Sequence, residues 1–257
     1  MSHIDVGGSD ELIDPLNIHN KEVRHFYRQC QKCWKRRSAT VKLQVCSQCK
    51  ITAYCSRECQ KADWKFHKTA CKANQEHLDL MAMQDFCEVV EAMAEGRELD
   101  RPLTSQVNAE IGEWLRRFRP FFCQAGWRCL IRGIGPNAWS THIFQVRIER
   151  IRNPSPDSRP WTRYKVVDAG AVPISRLLET HANNQHFKDI LKQGEAYHEE
   201  NARTGCIGTI MTILKCDSSG QDIEAVSWAG YGPDAWHDSD NWFQELRDAV
   251  EKVSGRA

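Results

Sequence analysis

Residues 30–71 read CQKCWKRRSATVKLQVCSQCKITAYCSRECQKADWKFHKTAC, and this stretch decides how the first part of the chain folds. Eight of its side chains can bind a metal, and they come as four closely spaced pairs: Cys30 and Cys33, Cys46 and Cys49, Cys55 and Cys59, and His67 and Cys71. Two ligands separated by two or three residues can reach one ion from a tight turn or a single helical turn. Eight such ligands predict two closed tetrahedral sites of four ligands each, which stabilise structure and leave no position for catalytic water. Thiolates with one imidazole favour zinc.

The spacing of the last two pairs limits which pairs can share an ion. Ser56 is a good helix N-cap, and helix-forming residues follow it up to His67. Cys59 and His67 would then lie about 12 Å apart along the helix axis, at ~1.5 Å per residue, which is too far for one zinc ion to bridge. The last two pairs therefore belong to different sites. An interleaved and a nested arrangement both remain possible on spacing alone.

The order of the ligands and the residues between them resemble the MYND-type zinc finger family. All eight ligands are present in order, with Tyr54 before the fifth ligand and Trp64 before the histidine. The resemblance implies a small treble-clef-like, cross-brace finger that binds two zinc ions through interleaved pairs. The implied ligand sets are Cys30, Cys33, Cys55 and Cys59 for one zinc, and Cys46, Cys49, His67 and Cys71 for the other. The resemblance covers about residues 30–71, and the 12-residue gap before Cys46 is longer than in many members.

The same resemblance implies a function for the finger. MYND fingers characteristically bind short proline-containing peptides, which add as a strand to a small hairpin and pack on an aromatic side chain. The family's peptide-binding residues match Ser47, Gln60 and Trp64 in this chain. Gln60 and Trp64 are four residues apart and would share one face of the predicted helix. We therefore expect proteins with proline-containing segments as partners, in transcriptional or signalling complexes. The alternative interpretation is that Trp64 only packs the finger's own core.

The charge of the chain is distributed unevenly. Its 257 residues include 35 Lys and Arg against 34 Asp and Glu, which gives a formal net charge of +1. Residues 21–75 carry 14 of the basic and 3 of the acidic residues, while residues 1–20 carry four acidic residues and no basic one. With two zinc sites included, the finger still carries about +8. This surface suits acidic partners, and direct nucleic-acid binding is less favoured because no recognition-helix pattern is present.

These shifts in composition predict three segments: a disordered acidic lead at 1–20, the MYND-type finger at 21–75, and an α+β domain of unknown function at 76–257. Residues 76–257 resemble no family that we recognise. Hydrophobic periodicity predicts helices at about 76–93, from Thr104 or Ser105 until Pro120 closes or kinks the helix, at 174–199 with an interruption near Asn183, and at 240–253. Strands are predicted at 142–149, 164–168, 206–214 and 223–228. We expect a mainly antiparallel sheet with flanking helices, in which the strand at 206–214 is central because both of its faces are apolar.

The helix at 76–93 is expected to bury one apolar face, composed of Leu78, Met81, Ala82, Phe86, Val89 and Met93. The cysteines and histidines of the C-terminal domain are expected to be buried thiols and surface imidazoles. No catalytic residue is predicted, because the Asn-His-x-Cys segment of SET-domain methyltransferases is absent, as are the common nucleophile and nucleotide-binding motifs. The alternative is an enzyme whose active site lies in the C-terminal domain and whose finger is a docking element.

The location of the protein is predicted from its cysteines and its lack of membrane signals. No apolar run approaches the ~18–20 residues of a membrane span, and the N-terminus lacks the pattern of a signal peptide. Twelve cysteines in such a chain are expected to be metal ligands or reduced thiols. The sequence therefore predicts an intracellular protein, in the nucleus or the cytoplasm, whose oligomeric state it does not indicate.

Overall fold

A short hairpin and the start of a long helix form the N-terminal finger. The computed structural model describes residues 30–33, 35, 39–99, 101–152, 154–155, 157–203, 208–218, 221–231 and 240–256, so the predicted lead at 1–20 lies outside the described residues. Strands β1 (Gln44–Val45) and β2 (Ala53–Tyr54) pair antiparallel. Helix α1 (Arg57–Ala94) begins at the predicted N-cap, where the Ser56 side chain accepts a hydrogen bond from the backbone N–H of Cys59 at 3.2 Å.

Helix α1 is one continuous helix of 38 residues. It combines the finger helix with the helix predicted at 76–93. It ends at Ala94, two residues before Gly96, whose positive φ of 65° a residue without a Cβ adopts easily. The predicted boundary at residue 75 therefore falls inside a helix rather than in a linker. The division of the chain into a finger and a separate domain stays a prediction.

The C-terminal half of α1 does not bury the face that periodicity predicts. Of the expected residues Met81 is buried, whereas Phe86 is 69% exposed and Met93 76% exposed. The contacts of this half with the rest of the chain are partly polar: Asp85 accepts a hydrogen bond from the backbone N–H of Ser105, and Glu88 pairs with Arg101. These bonds turn a different stripe of the helix inward, so the prediction of one buried apolar face is wrong for Phe86 and Met93.

Four strands of the C-terminal region form one mixed sheet. They are β3 (His142–Arg150), β4 (Tyr164–Pro173), β5 (Gly208–Ser218) and β6 (Gln221–Tyr231), in the spatial order β4-β3-β5-β6. The β3–β4 and β5–β6 pairs are antiparallel, and the central β3–β5 pair is parallel. The expectation of a mainly antiparallel sheet is thus correct only in part, because the chain crosses over between β4 and β5 and brings β5 back in the direction of β3.

Helices cover both faces of this sheet. The connection from β4 to β5 contains α3 (Ile174–Thr180) and α4 (Gln185–Arg203), which are separated near Asn184 as predicted. They pack on one face with Ile143, Met211 and Ile213. Helices α2 (Thr104–Trp127) and α5 (Trp242–Val253) enclose the larger core on the other face, with Phe144, Val146, Ile148 and Leu214 among its buried residues. Strand β5 therefore has apolar side chains on both faces, as its sequence predicts.

Helix α2 corrects two details of the prediction. It continues through Pro120 to Trp127, although Pro120 was expected to close or kink it. Buried side chains along its whole length, from Val107 to Ala125, outweigh the ~3 kcal/mol that an interior proline costs. Neither Thr104 nor Ser105 is its N-cap; the N-cap position is Leu103, and the side chain of Asp85 in α1 accepts the free backbone N–H instead.

Candidate functional site

The first group of metal ligands joins the N-terminal turn to the start of α1. Its four Sγ atoms lie within 4.8 Å of one another and belong to Cys30, Cys33, Cys55 and Cys59. The Cys33 and Cys55 sulfurs are 3.4 Å apart, and the Cys55 and Cys59 sulfurs 3.6 Å apart. Cys30 is buried and Cys33 is exposed, so this group lies at the edge of the finger.

The second group lies inside the finger. It consists of Cys46, Cys49, His67 and Cys71, which are all buried and whose ligand atoms also lie within 4.8 Å of one another. The Cys46 and Cys71 sulfurs are 3.8 Å apart, and the Cys49 sulfur is 3.7 Å from Nε2 of His67. The two groups use alternate pairs along the chain. This confirms the interleaved arrangement and excludes the nested one.

Both groups have the dimensions of a tetrahedral zinc site. With Zn–S of ~2.3 Å and Zn–N of ~2.0 Å, a tetrahedron places sulfurs about 3.8 Å apart and a sulfur about 3.6 Å from a nitrogen. The distances of 3.4–3.8 Å match these values and are far longer than the ~2.05 Å of a disulfide. The chain therefore contains two zinc-binding clusters whose four protein ligands each fill the coordination shell. Zinc in such sites supplies cross-links that hold the short hairpin against α1.

Neighbouring side chains orient the ligands of the buried cluster. Nδ1 of His67 lies 3.3 Å from Oγ1 of Thr52, which leaves Nε2 of the ring directed at Cys49. A second partner of this kind fixes the tautomer of a zinc-binding histidine. The amide oxygen of Gln48 lies 3.5 Å from Sγ of Cys71. Thr52 and Gln48 therefore contact zinc ligands and help to orient them, and the spacing of the ligands alone does not identify these two residues.

Four thiols of the finger have shifted pKa values. Burial acts to raise the pKa of Cys49, but hydrogen bonds with His67 and with the backbone of Thr52 lower it to about 6. Burial also opposes ionisation of Cys30, yet backbone hydrogen bonds lower its pKa to about 7. Burial and the neighbouring cysteines raise the pKa of Cys55 and of Cys71 to about 12. The turns thus provide ready thiolates at Cys30 and Cys49.

The turn that contains Cys46 and Cys49 also has a backbone conformation that suits metal binding. The N–H of Cys46 donates to the carbonyl of Thr52 at 2.8 Å, and the N–H of Lys50 donates to the carbonyl of Cys46 at 3.0 Å. Lys50 has a positive φ of 57°. A non-glycine residue in this region is uncommon and costs about 1 kcal/mol or more, so the surrounding contacts must enforce it. The tight turn brings Cys46 and Cys49 to one side.

The three residues matched to peptide binding lie on the surface of the finger. Ser47 is exposed in the turn that follows β1, and Gln60 is half-buried in the first turn of α1. Trp64 is 39% exposed, and its ring meets the edge of His67 at a centroid distance of 6.0 Å. One side of Trp64 thus supports the buried zinc cluster while another side faces solvent.

A polar pair that sequence reasoning missed lies beneath this surface. Tyr54 donates a hydrogen bond from its hydroxyl to Oδ2 of Asp63 at 2.7 Å, and both side chains are buried. Burial, together with Asp63, raises the pKa of Tyr54 well above its usual range. One signal was available: Asp63 is one of only three acidic residues in the basic segment 21–75. The sequence predicts Tyr54 only as a structural residue.

Helix α4 of the C-terminal region contacts the finger near this pair. Burial raises the pKa of Tyr197 in α4 to about 12, and the charge of Asp63 adds to the effect, whereas hydrogen bonds with Gln31 and Gln193 act to lower it. Gln31 lies between two zinc ligands, and its N–H donates to the carbonyl of Ala53 in β2. The finger and the C-terminal region are therefore joined by side chains as well as by α1.

Histidines and cysteines of the C-terminal region mainly pack against neighbours. His198 stacks on Trp139 at a centroid distance of 3.3 Å, and His181 stacks on Phe187 at 4.5 Å. Cys216 is fully buried in the larger core, and Cys206 lies outside the described residues. The expectation of buried thiols is therefore correct for Cys216 and wrong for Cys87, which is exposed. The expectation of surface imidazoles is wrong for His181 and His198, because both are half-buried against an aromatic ring. Within the described part of the chain, no helix combines the length and apolarity that a membrane crossing requires.

Comparison with known proteins places the finger in a family. Residues 28–71 match the family model described as the MYND finger. The chain is 54% identical over 60 residues to the SET domain and MYND-type zinc finger protein 6 of Schizosaccharomyces pombe. These residues cover 23% of this chain and 12% of that protein. It is 48% identical over 70 residues to the SET domain-containing protein 14 of Caenorhabditis elegans, 27% of this chain and 15% of that protein.

A third relative is named as an enzyme. The human histone-lysine N-methyltransferase SMYD1 is 48% identical over 44 residues, 17% of this chain and 8% of that protein. The chain therefore spans only about an eighth of the length of the curated relatives that it matches. No solved structure matches the chain. The similarity establishes the MYND finger and carries no activity of those proteins to residues 76–257.

Proposed function

We propose that the finger is a docking module that binds proline-containing segments of other proteins on the surface formed by Ser47, Gln60 and Trp64. The observation that carries this proposal is the partial exposure of Trp64, at 39%, directly above a buried zinc ligand. An aromatic ring held by a metal-linked scaffold offers a rigid apolar platform and loses little side-chain entropy when a proline or leucine packs on it.

The hairpin supports this proposal because one of its edges has no neighbouring strand among the residues that the structure describes. The carbonyl of Ala53 in β2 already accepts a hydrogen bond from the N–H of Gln31 at 2.9 Å, which occupies the outer edge of β2. Strand β1 pairs only with β2 in the described part of the chain, and both of its residues are exposed. An extended peptide can pair with the outer edge of β1, next to Ser47.

The same proposal includes the cellular location. Seven of the eight ligands are thiols, and they bind zinc only while they stay reduced. We therefore place the protein inside the cell. The enzyme interpretation of the C-terminal region has no specific observation in its favour among the described residues: His181 and His198 pack against aromatic rings, and His142 contacts Thr141.

The experiment is a titration of fluorescein-labelled Pro-x-Leu-x-Pro peptides with the zinc-loaded chain and two matched variants. Trp64→Ala is expected to weaken binding at least tenfold, because it removes the ring on which the peptide packs. Phe66→Ala is the control, since Phe66 is also 39% exposed but lies about 160° away around α1. It should change Kd less than twofold.

Zinc content, measured as moles per chain, must stay at two for both variants so that lost binding is not lost folding. Gln60→Ala provides a second variant on the same face of α1 as Trp64. Equal peptide affinity in the native chain and in Trp64→Ala would contradict the proposal. Equal losses in Trp64→Ala and Phe66→Ala would also contradict it, because the effect would then not be local to this surface.

A further inference from the structure

Basic side chains surround Trp64 on the exposed side of α1. Lys61 precedes Trp64 by three residues, Lys68 follows it by four, and Arg57 precedes it by seven. At ~100° per residue these three lie within about 60° of Trp64 around the helix axis. All three are exposed. Trp64 therefore lies in the middle of a row of positive charges about 16 Å long, measured at ~1.5 Å per residue. We call these three residues the basic row.

The positive charges of the basic row are not neutralised by ion pairs. In the described ranges none of its three residues has a carboxylate within 4.0 Å, whereas Lys72, one turn further along α1, pairs with Glu76 at 3.4 Å. Glu58 lies beside Arg57 and Lys61 and interacts with their charge. The other acidic residue of the finger helix, Asp63, is buried and bonded to Tyr54. With Glu58 included, the row carries three positive charges against one negative charge, and this net positive charge favours an anionic ligand.

We propose that the finger selects proline-containing segments that carry Asp or Glu beside the core that packs on Trp64. This inference rests on the proposed function. An extended peptide rises ~3.3 Å per residue, so the basic row matches about five residues of a single strand. The five-residue core itself has about this length, so the acidic residues on either side of it lie about 20 Å apart. Lys61 and Lys68 are about 10 Å apart along the helix axis, and their long side chains extend outward to these acidic residues while the core covers Trp64.

A peptide fits this surface better than a nucleic acid. The row is short, and an aromatic ring interrupts it. In the described ranges the outer edge of β1 in the same finger has no neighbouring strand and offers backbone hydrogen-bonding groups. Those backbone groups suit a polypeptide, whereas duplex DNA needs charges that follow its evenly spaced phosphates. Nucleic-acid binding therefore becomes one outcome of the test.

The test compares three labelled peptides of equal length on the full zinc-loaded chain. The first has a Pro-x-Leu-x-Pro core with Glu on both sides, the second has the same core with Gln on both sides, and the third has the Glu flanks and a scrambled core. Each exposed ion pair changes Kd by roughly 1.4- to 5-fold, so two pairs predict about tenfold tighter binding of the first peptide than of the second at ~0.1 M salt. At ~1 M salt the screening length falls to ~3 Å, and the two should bind alike.

Charge reversal identifies the residues. Lys61→Glu with Lys68→Glu should abolish or invert the preference for Glu flanks while leaving the Gln-flanked peptide bound within threefold. Lys252→Glu, an exposed lysine of α5, is the matched control and should leave the preference intact. Two zinc ions per chain should remain in every variant.

Each other outcome overturns a defined part of the reasoning. If the Glu-flanked and Gln-flanked peptides bind equally and Trp64→Ala removes the binding of both, the proposed function stands and the selection of acidic flanks is overturned. If the scrambled Glu-flanked peptide binds as well as the first peptide and ignores Trp64→Ala, both proposals are overturned. A random 20-base-pair duplex that binds as tightly as the first peptide would overturn the inference in favour of nucleic-acid binding. If no peptide binds, both proposals fail.

Discussion

The buried hydrogen bond between Tyr54 and Asp63 predicts how much the polar interior of the finger contributes beside zinc. The two oxygens are 2.7 Å apart, and the two side chains are 2% and 3% exposed. A buried hydrogen bond to a charged group contributes about 1.5–3 kcal/mol, and its loss leaves the acceptor without solvent as a replacement. Tyr54→Phe removes only the hydroxyl and keeps the ring against His67. We therefore expect a local loss of about 1.5–3 kcal/mol.

Hydrogen exchange of the zinc-loaded chain measures this loss where it occurs. A free-energy change of 1.5–3 kcal/mol corresponds to amide exchange that is about tenfold to 150-fold faster, provided that exchange follows local opening. The acceleration should appear in peptides that cover β1, β2 and the first turns of α1. Strand β3 serves as the internal control and should exchange at its native rate.

A double-mutant cycle separates the bond from other effects of the substitution. In the Asp63→Leu background the hydroxyl of Tyr54 has lost its acceptor. Adding Tyr54→Phe to this background should therefore change the local stability of the finger little. Exchange in the finger that rises less than threefold in Tyr54→Phe would refute the reasoning. So would an equal acceleration in β3, since the change would then be global.

Two further predictions concern the C-terminal region. Gly126→Ala should lower the free energy of unfolding, measured with urea, by about 1 kcal/mol. The new Cβ would lie 3.1–3.3 Å from atoms of the Phe144 side chain. Overpacking of this kind costs about 1–3 kcal/mol, and the higher helix propensity of alanine offsets about 1 kcal/mol of that cost. A more stable Gly126→Ala chain would contradict this packing. Burial lowers the pKa of His198, which stacks on Trp139, so the unfolded chain binds more protons than the folded chain below about pH 6.5. The free energy of unfolding should therefore fall as the pH is lowered from above pH 6.5. In His198→Phe, which keeps a ring on Trp139, the free energy of unfolding should fall less steeply between pH 8 and pH 6. Parallel curves of stability against pH for the two chains would exclude this role of His198.

The metal clusters could be predicted from the sequence because their geometry is short-range. Two ligands two or three residues apart share an ion, and the length of a helix separates Cys59 from His67. The choice of the interleaved arrangement came from the resemblance, and the distances between sulfurs confirm it. The second-sphere position of Thr52 could not be predicted in this way, since no spacing rule links it to Nδ1 of His67.

Three features of the C-terminal region and of α1 that sequence reasoning missed depend on contacts between residues far apart in the sequence. The cap of α2 comes from Asp85 in another helix, and the parallel pairing of β3 with β5 depends on a crossover of more than thirty residues. The exposure of Phe86 and Met93 has the same origin, because the other contacts of α1 determine which stripe turns inward. Periodicity predicts that a helix or strand forms, and long-range packing selects its partners.

The unbroken course of α1 gives the molecule a fixed internal distance. From Trp64 to the end of the helix at Ala94 is about 45 Å at ~1.5 Å per residue. Side chains tie the helix to the rest of the chain near both ends, at Tyr197 and at Ser105. A protein bound at the finger would thus be held at a fixed distance and orientation relative to the sheet. For a protein bound at the proposed surface, this length sets the distance between Trp64 and the C-terminal end of α1.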